Sequence, residues 1–136
     1  MIPIVLPITL TIGAAAAVLH IWLAARVSQL RNRHKVSIGD GGNEALIRRM
    51  RAHANYGESL PVVLILLALL ELGGGDPRIL WGAAILFVIA RILHAFGMDR
   101  PSPSRARMFG MLGSTFALLI LVGYAIFTVY RHPPDI

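Results

Sequence analysis

Three side chains of complementary chemistry recur at helical spacing in the segment Arg48-Arg-Met-Arg-Ala-His-Ala-Asn-Tyr-Gly-Glu-Ser-Leu-Pro61: the guanidinium of Arg51, the amide of Asn55 and the carboxylate of Glu58. At about 100° per residue they fall within about 60° of one another, a single polar stripe on an otherwise apolar rod. Such a stripe supplies a cation, a two-way hydrogen-bonding amide and an anion, which suits a ligand carrying charges of both signs. A second polar pair, Arg91 and His94, is spaced i, i+3 and shares a helix face. Counted from Ile47, Glu58 lies about 16 Å along its helix, and Arg91 lies about 10 Å from Met98 on an antiparallel neighbour. At similar depth the two charges are expected to meet, so that the stripes confront one another as two walls of a site. Read as structure alone, Glu58 and Arg91 would be a buried ion pair holding the helices together. Ionisable groups inside a membrane are functional candidates by default, and the presence of more than one pair favours a site.

The elements that must position these groups are membrane helices. The 136 residues are 56% hydrophobic and only 15% charged, and the mean hydropathy is +0.67, values foreign to a small soluble domain. Apolar stretches predict helices at about 3–27, 47–72, 77–98 and 106–130. Each is long enough to cross a hydrocarbon core of about 30 Å. The fold class expected is therefore all-α integral membrane, a four-transmembrane-helix bundle occupying residues 1–136 as one domain. The first stretch lacks a basic leader and stops against Arg31-Asn-Arg-His-Lys35, so it reads as a retained helix and not a cleaved signal.

The net charge of +6 is unevenly placed. Arg31, Arg33, Lys35, Arg48, Arg49 and Arg51 surround the first connection, and Arg100, Arg105 and Arg107 the third. By the positive-inside tendency both connections face the cytoplasm and both termini face outward. These cations serve topology, and no nucleic-acid motif accompanies them, so no nucleic-acid partner is expected. The chain has no cysteine; any sulfur nucleophile must come from a ligand. His20 reads as a hydrogen-bonded packing residue, and His53 projects about 160° away from Asn55. No His-Glu-x-x-His arrangement occurs, so no metal is expected. Gly110 and Gly113 would let a fourth helix approach a neighbour closely, either within the bundle or in another subunit. Trp22 and Trp81 look like interfacial anchors.

Taken together, Arg51-Ala-His-Ala-Asn55-Tyr-Gly-Glu58, Arg91-Ile-Leu-His94 and Arg107 after a proline-containing loop resemble the signature of the MAPEG family, the membrane-associated proteins in eicosanoid and glutathione metabolism. The resemblance extends over essentially the whole chain. It implies a homotrimer that binds glutathione between subunits near the cytoplasmic face and uses its thiol on lipophilic substrates from the bilayer. On that resemblance Arg51 and Arg31 would hold carboxylates, Asn55 a backbone amide, and Glu58 the ammonium or the arginine scaffold. Arg91 and His94 would complete the binding set. Arg107 matches the position of the thiol activator; a guanidinium beside a thiol favours the thiolate. The activity implied is that of a glutathione transferase or peroxidase in a bacterial inner membrane. Met98 and Ser59 stand where family members carry tyrosines, which removes glutathione contacts and argues against an eicosanoid synthase. Two other classes fit the same composition: a non-catalytic bundle or lipid-binding scaffold, and a small proton-coupled multidrug exporter. The exporter is disfavoured because its glutamate lies in helix one, and helix one here has no acid.

Overall fold

A computed structural model describes residues 5–131. Four helices follow one another: α1 (Pro7–His34), α2 (Glu44–Leu72), α3 (Pro77–Met98) and α4 (Arg105–Arg131). All four are long and apolar enough to cross a membrane. The expected helix one began near residue 3, and residues 3 and 4 lie outside the described residues. At its other end α1 continues past Val27 through the basic run and stops where Lys35 takes a left-handed conformation, φ 54°. Nothing in Arg31-Asn-Arg-His34 breaks a helix, and cations favour the negative end of the helix dipole. Helix α2 starts at Glu44 because Asn43 caps it, its side chain accepting a hydrogen bond from the Leu46 amide at 3.0 Å.

The connections are short, so consecutive helices run antiparallel, and Leu19, Leu23, Tyr56, Val63, Leu67, Phe87 and Leu121 meet in a shared core. Helices α1 and α4 do not touch among the described residues. The most intimate contact is between α3 and α4. A Cβ on Gly97 would stand 2.1 Å from the Arg107 amide nitrogen, and one on Gly110 would stand 2.5 Å from the amide nitrogen of His94. These glycines bring backbone against backbone within one chain, which places the Gly110 to Gly113 signal inside the bundle. The outer face of α4 carries Phe109, Leu112, Phe116 and Leu119, all exposed, as expected of a surface solvated by acyl chains.

Polar groups tie both ends of the bundle. At the basic end Asp99, just beyond α3, receives Arg26 of α1 and Arg49 of α2 together, and Arg49 Nη1 also donates to the Arg26 carbonyl at 2.9 Å. At the opposite end Glu71 of α2 accepts from the amides of Ile8 and Thr9 and from the Thr9 hydroxyl, each at 2.7 Å. Helix α1 has no side-chain cap of its own at Leu6, so a carboxylate from α2 satisfies its first-turn donors and complements its dipole. Tyr56, buried in the middle, donates to the Ala16 carbonyl at 2.6 Å and locks α2 against α1.

If the α3–α4 seam is backbone packing, Gly110→Ala should lower stability by about 1–3 kcal/mol, since neither helix can yield a backbone atom cheaply. Gly82→Ala, on the open side of α3 where an added Cβ meets nothing within 4 Å, should be neutral or stabilising. Thermal melts of both variants in detergent measure the contrast.

Candidate functional site

Helix α2 is the centre of the polar architecture because its faces are divided. Ala52, Tyr56 and Val63 turn inward, and the stripe, a half-turn away, turns out of the bundle. Arg51, Asn55 and Glu58 line an open cavity of about 410 Å³ together with Asp40, Ile47 and Met50. Arg51 and Glu58 are exposed and Asn55 is half-buried. Asn55 is oriented by its own helix, its Nδ2 donating to the Arg51 carbonyl at 3.0 Å, which leaves its oxygen open to a ligand donor. Ser59 donates to the Asn55 and Tyr56 carbonyls.

A second cavity, about 390 Å³, opens between α1 and α2 and shares Met50 and Ala54 with the first. It contains Arg31, His20 and His53. Arg31 is half-buried and reaches Met50 Sδ at 3.5 Å, so the Arg31 groove and the stripe flank one ridge of α2. His53 Nε2 lies 3.3 Å from His20 Nδ1, with ring centroids 4.6 Å apart. His53 therefore faces away from the stripe, as its angular position predicts. His20 is hydrogen-bonded as expected, but at the exposed rim of this groove and not in the packed core.

Arg91 and His94 form a third group, buried between α3 and α4. The expected meeting of Glu58 with Arg91 does not occur: among the described residues Glu58 forms no ion pair, and Arg91 donates from Nη2 to Ser114 of α4. The cause lies in the two helix faces. The glycine seam turns α3 toward α4 and brings Ser114 under the guanidinium, while Tyr56 holds the opposite face of α2 inward. Ser114 itself donates to the Gly110 carbonyl at 2.6 Å, and the Arg91 guanidinium sits 5.6 Å from the Phe87 ring centroid. One buried nitrogen, Arg91 Nε, finds no partner among the described residues. Arg107 is exposed in the first turn of α4, its backbone beneath Gly97 and hence beside the end of α3 that carries His94.

A single chain thus brings together Arg51, Asn55 and Glu58 in one groove, Arg31 in the adjoining groove, and Arg91, His94 and Arg107 around the α3–α4 seam. Sequence reading missed Asp40 and Met50 as groove residues. Asp40 carried a signal: its side chain accepts from the Gly42 amide at 2.8 Å in a turn that uses left-handed Gly41 and Gly42, a pattern legible in Asp-Gly-Gly. Met50 carried none, since a methionine beside arginines is unremarkable in an apolar helix. Ser114 could have been found from its place one turn after Gly110.

The model of the MAPEG family matches residues 9–127. The chain is also 30% identical, over 115 residues, to the inner membrane protein YecN of Escherichia coli strain K12; the alignment covers 82% of this chain and 87% of that protein. YecN from a second Escherichia coli strain, O6:H1, matches to the same extent.

If Ser114 is the acceptor that keeps Arg91 satisfied at depth, Ser114→Ala should cost about 1–3 kcal/mol in detergent melts. Ser59→Ala, which removes only bonds to carbonyls of its own helix, should stay within about 0.5 kcal/mol.

Proposed function

We propose, from the premise that this chain belongs to the MAPEG family, that it is a glutathione-binding transferase of the bacterial inner membrane, built as a homotrimer. The observation that carries this reading is the position of the stripe. Glu58 lies about 21 Å along α2 from Glu44, on the outward face and without an ion-pair partner among the described residues. A carboxylate at that depth is costly against lipid. It needs to be covered, and a second copy of the chain together with a polar ligand provides the cover.

The chemistry of the groove fits glutathione. The tripeptide offers two carboxylates, an ammonium, two peptide groups and a thiol, and about 410 Å³ lies within the range of small-molecule sites. Arg51 supplies a fork for one carboxylate, the Asn55 oxygen takes a peptide N–H, and Glu58 takes the ammonium. Across a subunit boundary the Arg31 groove of a neighbour would supply a cation for the second carboxylate.

Arg107 is the activator in this reading. Its charge lowers the thiol pKa from about 8.5, so that the sulfur enters the reaction as thiolate and its proton passes to water. The thiolate lone pair then forms a bond to an electrophilic carbon of a lipophilic substrate, and the leaving group departs with the bonding electrons. Met98 and Ser59 in place of tyrosines leave fewer donors around the sulfur, which puts more of the task on Arg107. The basic connections, and with them the site, would face the cytoplasm, and both termini the other side.

Purified protein titrated with glutathione should develop thiolate absorbance at neutral pH and conjugate a generic aryl halide. Arg107→Ala should abolish the thiolate signal and conjugation while retaining glutathione binding. Glu58→Gln should weaken binding at least tenfold, as removal of one partner of a desolvated charge pair does. Binding without any thiolate signal in the parent protein would instead identify a scaffold, and proton-coupled uptake lost in Glu58→Gln would identify an exporter.

A further inference from the structure

On the other side of α1 from the histidine groove, α1 and α3 enclose an apolar furrow of about 470 Å³, walled by Val18, Leu19, Trp22, Val88, Ile92 and Phe96. It takes no part in the glutathione reading. Its walls are hydrocarbon and aromatic throughout, and Val18 and Phe96 are more than half exposed, at 67% and 53%. Beside Trp22 and Phe96 the character changes. The Arg26 guanidinium stands 4.6 Å from the Trp22 ring centroid and 5.7 Å from that of Phe96, so the furrow terminates on a cation held over two of its own walls.

That cation belongs to a cluster with excess positive charge. Arg26 and Arg49 share the single carboxylate of Asp99, and the exposed Arg100 follows directly in sequence. Two guanidinium groups against one carboxylate leave one positive charge, and Arg100 adds a second at the neighbouring position in the sequence. Arg49 uses Nε and Nη1 on Asp99 and the Arg26 carbonyl; its Nη2 enters no hydrogen bond among the described residues. From Ala15, which also lines the furrow, to Arg26 helix α1 rises about 16 Å, close to the depth of one leaflet of an about 30 Å hydrocarbon core.

We propose that this furrow is a binding site for an anionic glycerophospholipid, one acyl chain lying between α1 and α3 and the phosphate held by Arg49 and Arg100 beside the Arg26–Asp99 pair. The length matches one leaflet, the walls match an acyl chain, and the terminal charge matches a phosphate. A zwitterionic lipid would fill the walls but bring a cation to the arginines. An apolar helix of another copy would cover the furrow and leave the two excess charges without an anion.

Trp22 reports directly on occupancy, since the chain has two tryptophans and Trp81→Phe leaves Trp22 alone. The full chain carrying Trp81→Phe is reconstituted in phosphatidylcholine vesicles containing brominated-acyl phosphatidylglycerol or brominated-acyl phosphatidylcholine. Half-maximal quenching should fall at an about fivefold lower mole fraction of the anionic lipid, the preference that one arginine near the membrane surface confers. Arg49→Gln combined with Arg100→Gln, at half-buried and exposed positions, should keep its helical circular dichroism and bring the two curves together. Added glycerol phosphate should not reverse the quenching, because a headgroup alone lacks the chain. Coincident curves in the parent, a preference that survives loss of both arginines, reversal by glycerol phosphate, or an equal preference reported by Trp81 in Trp22→Phe would each overturn the proposal. Absence of quenching by either lipid would do so as well, by placing protein in the furrow.

Discussion

Gly97 against the backbone of Arg107, and Gly110 against the backbone of His94, hold α3 and α4 closer than any side chain would permit. The rest of the polar arrangement depends on that contact. Lipid gives helices no hydrophobic reason to associate beyond what it offers each alone, so close van der Waals approach has to provide the attraction. Once the two backbones touch, Ser114 comes within reach of Arg91, and the guanidinium is drawn into the seam and away from α2. The outward stripe of α2 is then free for something that is not part of its own chain. A side chain at position 97 or 110 would wedge the helices apart and move Arg91, His94 and Arg107 together.

The number and order of the helices were legible because length and hydropathy decide them, and Asn43, Asp76 and Pro77 mark two of their starts in recognisable turn chemistry, whereas hydropathy stopped α1 at Val27 and the polar helix formers of the basic run carry it to His34. The internal geometry of the stripe was legible too, since a helix fixes the angles among Arg51, Asn55 and Glu58. What one helix presents to another was not. Equal depth suggested that Glu58 and Arg91 meet, but depth leaves rotation about the helix axis open, and rotation is set by Tyr56 on one helix and by glycines on the other. Arg26, Arg49 and Asp99 were likewise hidden: Arg49 reads as a topological charge, no local pattern marks Arg26 or Asp99, and only the folded bundle brings residues 73 and 50 positions apart onto one carboxylate. His20 and His53 touch for the same reason, across a helix pair whose register no local pattern encodes.

Charge in this bundle is distributed by how well it can be satisfied. Asp99 serves two arginines where α1, α2 and α3 converge, a hydrogen-bonded cluster at the basic end. Arg91, farther along, makes do with a hydroxyl and an aromatic face. The stripe, which has neither, lies on the surface. Compensation weakens from the carboxylate cluster at the helix ends to the Arg91 seam and then to the candidate site, while the cluster itself keeps a net positive charge.

The cap that Glu71 places on α1 bears on how the protein is made. The carboxylate that satisfies the amides of Ile8 and Thr9 is synthesised more than sixty residues after them. When α1 first enters the bilayer its leading turn has open donors, and its vertical register is not yet fixed. The arrival of the far end of α2 completes the turn and sets that register, with Tyr56 and the Ala16 carbonyl as the second point of attachment. The α1–α2 hairpin is accordingly the smallest unit of this chain in which the first turn of α1 has its carboxylate partner.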